Sequence, residues 1–296
     1  MKRRLALAGL GALLAACQTP PPKPIPVPVS APPPAAPLRP PRIGLALGGG
    51  AARGFAHIGV IQVLEEAGIP LSLVAGTSAG SLVAAMYASG KGGVELAKVA
   101  LAMDESAITD WSFPGRGLIR GEALARYVRE QTGGKLIEQL PMPLGIVATD
   151  LDSGEPVLFR RGDVGAAVRA SSAVPAVFQP VKIGTREYVD GGLASPVPVR
   201  FARQMGAELV LAVDISSAPE GNPTGDVMRL LLQTFAIMGR SINHFELRDA
   251  DVVVRPKLNG VGGADFTARK RAIDAGREAA LVMLPQLRQR IAALMR

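Results

Sequence analysis

The pentapeptide Gly76-Thr77-Ser78-Ala79-Gly80 has the Gly-X-Ser-X-Gly pattern that suits a serine nucleophile. For a hydroxyl to attack an acyl carbon, the serine must sit on a sharp strand-to-helix turn that lifts it clear of the sheet. Flanking glycines let the two elements crowd together there. Alone, the pentapeptide is a weak signal. Here it lies between an apolar run at 71–75, which reads as a strand, and a small-residue run at 80–88, which reads as a helix ended by Gly90. A plainer role for Ser78, capping the following helix, leaves the glycines unexplained.

A nucleophile of this kind needs a place for developing negative charge. Gly48-Gly49-Gly50-Ala51-Ala52-Arg53-Gly54 follows an apolar run at 43–47 and opens a helix. A dinucleotide fingerprint fails, because the sixth position counted from Gly48 is Arg53 and the acids Glu65 and Glu66 come too early. A P-loop fails as well, since Phe55 follows Gly54. What fits is a row of backbone N–H groups at a helix start, a cradle for an oxyanion. Arg53 either orients this loop, meets an anionic head group, or is simply a solvated helix start.

The nucleophile also needs a base. The chain has two histidines, His57 and His244. His57 lies one turn past the glycine loop, where its ring points into helix packing. His244 falls within a long helical stretch, although it comes late in the chain as a Ser-His-Asp order would require. Asp190-Gly191-Gly192 is better placed, at the end of a strand over 186–189. Asp150 and Asp214, also at strand ends, are rivals, and a lone Asp-Gly is a common turn. At its ordinary pKa of about 3.9 an aspartate is a weak base, so a dry cleft would have to raise it.

Helical spacing with Gly68 and Pro70 beyond it predicts a helix over 55–67. The resulting strand-helix-strand-helix order implies right-handed crossovers and a parallel sheet. Further strands are expected at 144–149, 156–159, 186–189, 208–213 and 251–254. Further helices are expected at 121–131, 164–170, 197–204 and 227–247, with two more after Phe266. The fold class is α/β: a three-layer α/β/α domain with a central, mostly parallel sheet, over about residues 42–296.

The N-terminus is read separately. Lys2, Arg3 and Arg4 precede twelve apolar or small residues, 5–16. About 20 are needed to span a membrane as a helix, so residues 1–16 read as a signal peptide. Leu14-Ala15-Ala16-Cys17 resembles the lipobox of bacterial lipoproteins, whose cysteine is acylated and becomes the new N-terminus. Cys17 is the only cysteine, so no intrachain disulfide can form. Residues 17–41 then form a lipidated, proline-rich linker, with 12 prolines in the 24 residues from Gln18 to Pro41. In polyproline II form it would reach roughly 70 Å. Gln18, where lipoproteins retained in the inner membrane have an aspartate, points to the outer membrane.

The formal charge of +8 falls to +5 without Lys2, Arg3 and Arg4. A modest basic excess suits anionic lipid surfaces. Nucleic acid is not an expected partner, because no basic stripe is interleaved with aromatics.

The glycine loop, the serine elbow and Asp190-Gly191-Gly192 together resemble the bacterial branch of the patatin-like phospholipases. Ala148-Thr149-Asp150-Leu151-Asp152-Ser153-Gly154 and Ala170-Ser171-Ser172-Ala173-Val174-Pro175 are also similar to family segments. The likeness runs from about Ile43 to Val213, and Leu47 stands where many members have an aspartate. The resemblance implies a lipid acyl hydrolase without metal or cofactor, acting on phospholipid or lysophospholipid through a Ser78–Asp190 dyad. It places the oxyanion hole at the N–H groups of Gly49, Gly50 and Ala51, with Arg53 in support. Trp111-Ser112-Phe113-Pro114-Gly115 is either an apolar lip or, for Trp111, plain core. Two competing readings are a lipid-binding scaffold without activity and a Ser-His-Asp esterase using His244.

Overall fold

A computed structural model describes the protein over residues 39–112, 115–222 and 224–295. The expected signal peptide, Cys17 and all of the linker before Arg39 lie outside these residues, as do Phe113 and Pro114.

The described strands are β1 (Ile43–Leu47), β2 (Leu71–Thr77), β3 (Gly117–Ile119), β4 (Leu144–Asp150), β5 (Pro156–Phe159), β6 (Ala176–Phe178), β7 (Val181–Ile183), β8 (Arg186–Asp190), β9 (Leu209–Val213) and β10 (Val252–Val254). The helices are α1 (Phe55–Glu66), α2 (Ala79–Ala88), α3 (Gly93–Ala102), α4 (Glu122–Gln131), α5 (Val164–Ser171), α6 (Val199–Gln204), α7 (Val227–Glu246) and α8 (Arg269–Ala293).

The main sheet runs β10-β9-β1-β2-β4-β8-β7, with β5 also paired to β4. It is parallel from β10 to β4 and antiparallel where β4 meets β5 and β8 and where β8 meets β7. The small strands β3 and β6 form a separate parallel pair.

β1 shows why the layers form. All five of its residues are buried, as a central parallel strand covered on both faces requires. Ile43, Leu45 and Leu47 pack with α1, α2, α3, α4, α5 and α8. Ala46, on the opposite face, packs with α6. The outcome is the expected three-layer α/β/α domain with a mostly parallel sheet.

Several features differ from the sequence reading, which did not expect the short strands β3, β6 and β7. The two helices expected after Phe266 are one, α8, which runs through Pro285. Proline removes one backbone bond, but Leu287 beyond it is 1% exposed and seated in the core, which holds the far half in line. The helix α3 was not expected at all. Its buried residues, Leu96 and Ala100, give a stripe too thin to stand out.

α8 fixes α1, and α1 carries the glycine loop at its start. The two helices touch backbone to backbone. A Cβ on Gly276 would stand 2.0 Å from the Ala56 carbonyl oxygen, and one on Gly59 would stand 2.0 Å from that of Ile273. Gly276→Ala should therefore destabilise the protein by about 1–3 kcal/mol through overpacking, despite the gain of about 1 kcal/mol in helix propensity. Urea unfolding measures this. An unchanged or raised midpoint would mean that the helices are not held this closely.

Candidate active site

β2 and β8 flank β4, and their ends reach adjacent rungs: Thr77 pairs with Val147 and Asp190 with Ala148. The register thus brings the residue after β2 and the last residue of β8 to one edge of the sheet.

Ser78 takes φ 52° and ψ −125° on the turn into α2. Such a conformation costs on the order of 1–3 kcal/mol and persists only where its surroundings fix it. Here the Ser78 N–H donates to Ser171 Oγ at 2.8 Å, and its carbonyl accepts from Ser81 Oγ at 2.6 Å. Thr77 Oγ1 donates to the Ser195 carbonyl at 2.9 Å. Gly80 lets the elbow sit against β1, since a Cβ there would be 2.2 Å from the Leu47 carbonyl oxygen. The Ser78 side chain makes no helix-capping bond. Its Oγ donates instead to Asp190 Oδ2 at 2.6 Å.

Asp190 is 6% exposed. Its Oδ1 accepts from the Gly192 N–H at 2.7 Å, and its backbone is held by the Ala173 carbonyl and the Thr149 hydroxyl, both at 2.9 Å. Burial pushes its carboxyl up to about 6, although the bonds from Ser78 and Gly192 pull the other way. An aspartate so raised is a far better base near neutral pH than a solvated one.

The rival acids are occupied elsewhere. Asp150 Oδ1 accepts from the N–H groups of Asp152 and Ser153, both at 3.0 Å, and Oδ2 pairs with Arg186 at 2.9 Å. The Ser153 bond, followed by Arg186, holds its carboxyl below the usual range. Asp214 bonds to Ser216 and Arg255.

Neither histidine meets Ser78. His244 is exposed on α7, against Phe245 and Arg248. His57 is wholly buried, and burial pushes it down to about 4, so the ring is neutral. Its Nε2 lies 2.8 Å from the Gly48 carbonyl. A carbonyl only accepts, so Nε2 carries the proton.

The glycine loop is anchored bond by bond. The Gly48 N–H donates to Val213 at 3.0 Å, Gly49 to Pro196 at 2.9 Å, and Ala52 to Gly263 at 3.0 Å. This corrects one expectation. Gly49 is not a free donor for an oxyanion, because its N–H ties the loop to the segment after Asp190. Gly49 still brings the loop to Ser78, since a Cβ on it would lie 3.1 Å from that of Ser78. The N–H groups of Gly50 and Ala51 have no acceptor among the described residues. Ala51 is held at φ 50°, another strained non-glycine residue at this edge. Arg53 is not a solvated helix start either. Burial lowers its pKa against the pull of Asp214, and its Nε has no partner among the described residues. Trp111 is 74% exposed, which removes it from the core.

Residues 45–203 match the family model for patatin-like phospholipases, a span of just over half the chain that holds the glycine loop, the elbow and Asp190. The chain belongs to the patatin-like phospholipase family. An NTE family protein of Mycobacterium tuberculosis is 41% identical over 184 residues, covering 61% of this chain and 51% of that protein. The mouse patatin-like phospholipase domain-containing protein 6 is 35% identical over 187 residues, 60% of this chain and 14% of the mouse protein. The chain therefore spans about half the length of the mycobacterial relative. Among solved structures, VipD from Legionella pneumophila aligns with a TM-score of 0.59 at 16% identity, over 84% of this chain and 67% of VipD. That is a likeness of fold.

Within this patatin-like site, Ser171 is the contact that sequence reasoning did not assign. It is fully buried, accepts from the Ser78 N–H, and donates to the Val147 carbonyl at 2.5 Å. Its segment, Ala170-Ser171-Ser172-Ala173-Val174-Pro175, was visible as a family-like stretch without a role. Glu246 is a second raised acid nearby, pushed up to about 7 by burial, and it accepts from Ser195 Oγ at 2.6 Å.

If Asp190 acts as the base for Ser78, a definite pH profile follows. kcat/KM on a soluble ester should rise with pH around a midpoint near 6 as Asp190 ionises. Asp190→Asn should lose about 100-fold or more, whereas His244→Ala should retain activity and Glu246→Gln should keep the midpoint. A midpoint near 7 that disappears in Glu246→Gln would assign the profile to the other carboxylate. Folding raises the Asp190 pKa from 3.8, so its contribution to stability is fully present below about 3.8 and lost as pH rises through about 6. At pH 8, Asp190→Asn should then be more stable than the wild type by about 1–3 kcal/mol.

Proposed function

We propose that the chain is a serine lipid acyl hydrolase, cleaving carboxylic esters of phospholipids or lysophospholipids through an acyl-enzyme on Ser78. The observation that carries this reading is the 2.6 Å bond from Ser78 Oγ to a buried Asp190, at a strained elbow beside a loop with two unpartnered N–H groups. As Ser78 Oγ attacks the ester carbonyl carbon, its proton passes to Asp190. The Gly50 and Ala51 N–H groups face the oxygen that gains negative charge. Collapse of the tetrahedral species expels the alcohol, which takes the proton from Asp190. Water then repeats the sequence on the acyl-enzyme, releasing fatty acid and restoring Ser78.

The names of the relatives support a lipid substrate, because the mouse protein is named as a phospholipase-domain protein. Arg53, a half-buried cation that follows the glycine loop, would suit an anionic head group. The full reading places the protein in a bacterial cell envelope, tethered through acylated Cys17 to the outer membrane and facing the periplasm.

An alkyl organophosphonate separates this reading from an inactive lipid-binding scaffold. It should label Ser78 covalently, and Ser78→Ala should abolish both labelling and release of fatty acid from defined phospholipids, read by mass spectrometry. Full activity in Ser78→Ala would reject the acyl-enzyme. For the tether, labelled palmitate fed to expressing cells should enter the wild-type chain and not Cys17→Ala. Equal incorporation in the two would remove the lipid anchor.

A further inference from the structure

Of the fifteen large apolar side chains exposed among the described residues, six lie on α7. Val227, Leu230, Ile237, Met238 and Phe245 fall at i, i+3, i+10, i+11 and i+18, which is one face of a helix, and they are 44% to 84% exposed. Only Thr234 and Ser241 share that face within α7. The opposite face holds the helix to the domain. A Cβ on Gly239 would stand 3.8 Å from Pro196 Cγ, Glu246 accepts from Ser195 Oγ, and Asn243 is the one fully buried residue of α7. A single exposed leucine needs no explanation, but a continuous apolar face marks a binding surface.

The charges on α7 indicate what that surface would meet. Arg229, Arg240 and His244 are exposed along one flank of the apolar face. Glu246 is the only acid in the helix, and it turns inward to Ser195 and Arg200. Arg229 pairs with Asp226 at 3.2 Å, and Arg240 pairs with Glu220. All four of these side chains are more than half exposed. Exposed pairs are weak, so each guanidinium can exchange its carboxylate for a phosphate. An apolar face beside a cationic flank is the pattern of a helix that lies in the interface of an anionic bilayer. A bilayer meets such a face without a shaped groove, since acyl carbons take the apolar stripe and head-group phosphates take the flank. No described helix is long and apolar enough to cross a membrane, so α7 would lie along the surface.

We propose that α7 docks the protein on an anionic lipid surface, with Val227, Leu230, Ile237, Met238 and Phe245 among the acyl chains and Arg229 and Arg240 on the phosphates. The helix lies outside residues 45–203, the stretch that matches the family model. It rests on Ser195 and Pro196, whose carbonyls hold Thr77 Oγ1 and the Gly49 N–H. The docked helix is thus joined to the segment that fixes both the Ser78 elbow and the glycine loop. Docking needs no catalysis and no lipid on Cys17, so it stands apart from the reading of Ser78 as a nucleophile and from the tether.

The test uses the full chain with Cys17→Ala and Ser78→Ala, and vesicles of phosphatidylcholine with or without phosphatidylglycerol. Cys17 is the only cysteine, so a single nitrobenzoxadiazole dye can be placed at Ile237→Cys or, as a control, at Val282→Cys on α8, which is 76% exposed. Phosphatidylglycerol vesicles should shift the Ile237→Cys emission to the blue and raise it about twofold, and leave Val282→Cys unchanged. Leu230→Glu with Phe245→Glu should weaken vesicle co-flotation about tenfold. Arg229→Gln with Arg240→Gln should cut the preference for phosphatidylglycerol about tenfold. These side chains are all exposed, and circular dichroism melts establish that each variant folds. Equal dye responses at the two positions, or co-flotation that no variant alters, would overturn docking through α7. So would a dimer that Ile237→Glu dissociates in sedimentation equilibrium without any dye response to vesicles, because the face would then belong to a second copy. With Ser78 restored, docking on vesicles without release of fatty acid would keep the role of α7 and reject the hydrolase reading. Hydrolysis of a soluble ester without docking would do the reverse.

Discussion

Asp190 is a carboxylate sealed from water with no cation among its hydrogen-bond partners, and much of the structure around it follows from that arrangement. Its charge is carried by the Ser78 hydroxyl and the Gly192 N–H alone. Burial without a counterion makes the ionised form expensive. The same penalty makes the group a useful proton acceptor, because an ion pair with arginine would have lowered its pKa instead. Asp150 is the contrast within the same sheet. It is equally buried, but two N–H groups and Arg186 hold it as a low-pKa carboxylate that stabilises a turn. Two aspartates at neighbouring strand ends thus differ in chemistry: burial without a counterion raises one, and N–H bonds with an arginine lower the other.

Such a pair is useful only if it is held still, and the segment from Gly191 to Pro196 does much of that work. It begins at the acid, and the Ser195 N–H bonds back to the Gly191 carbonyl at 2.8 Å. The Ser195 carbonyl receives Thr77 Oγ1, beside the nucleophile, and the Pro196 carbonyl receives the Gly49 N–H of the glycine loop. One short stretch therefore joins Asp190, the Ser78 elbow and the glycine loop. Ser195 Oγ extends the connection to Glu246 at the end of α7. Beneath the loop, neutral His57 holds the Gly48 carbonyl. Both histidines are explained without giving either a proton-transfer role.

The parts of this design that are local in sequence were legible there. The elbow, the glycine loop and Asp190-Gly191-Gly192 each have their own residue pattern, and apolar runs such as 43–47 announce central strands. What the sequence concealed depends on long-range contacts. Nothing in Gly49 distinguishes its N–H from that of Gly50 until Pro196, far along the chain, is seen to accept it. Ser171 reads as an ordinary helical serine until its hydroxyl is found between the Ser78 N–H and the Val147 carbonyl. Pro285 is a local helix breaker, and packing of Leu287 overrides that preference. α3 was missed because only a few of its residues are buried, so its periodicity was diluted.

The departures from an ideal interior are not scattered. Of the three described non-glycine residues at positive φ, Ala51 and Ser78 flank the space where the reaction would occur. The uncompensated carboxylate and the Gly50 and Ala51 N–H groups, without acceptors among the described residues, lie beside them. Each would serve the proposed acyl transfer: a hydroxyl lifted by the elbow, a base for it and donors for an oxyanion. The stability that offsets them comes from elements with no chemical task, above all the fully buried β1 and the backbone contact between α1 and α8. β1 leads directly into the glycine loop and α1 carries it, so a fully buried, closely packed part of the fold adjoins its strained part. A site under this strain keeps its geometry because its neighbours cannot relax around it.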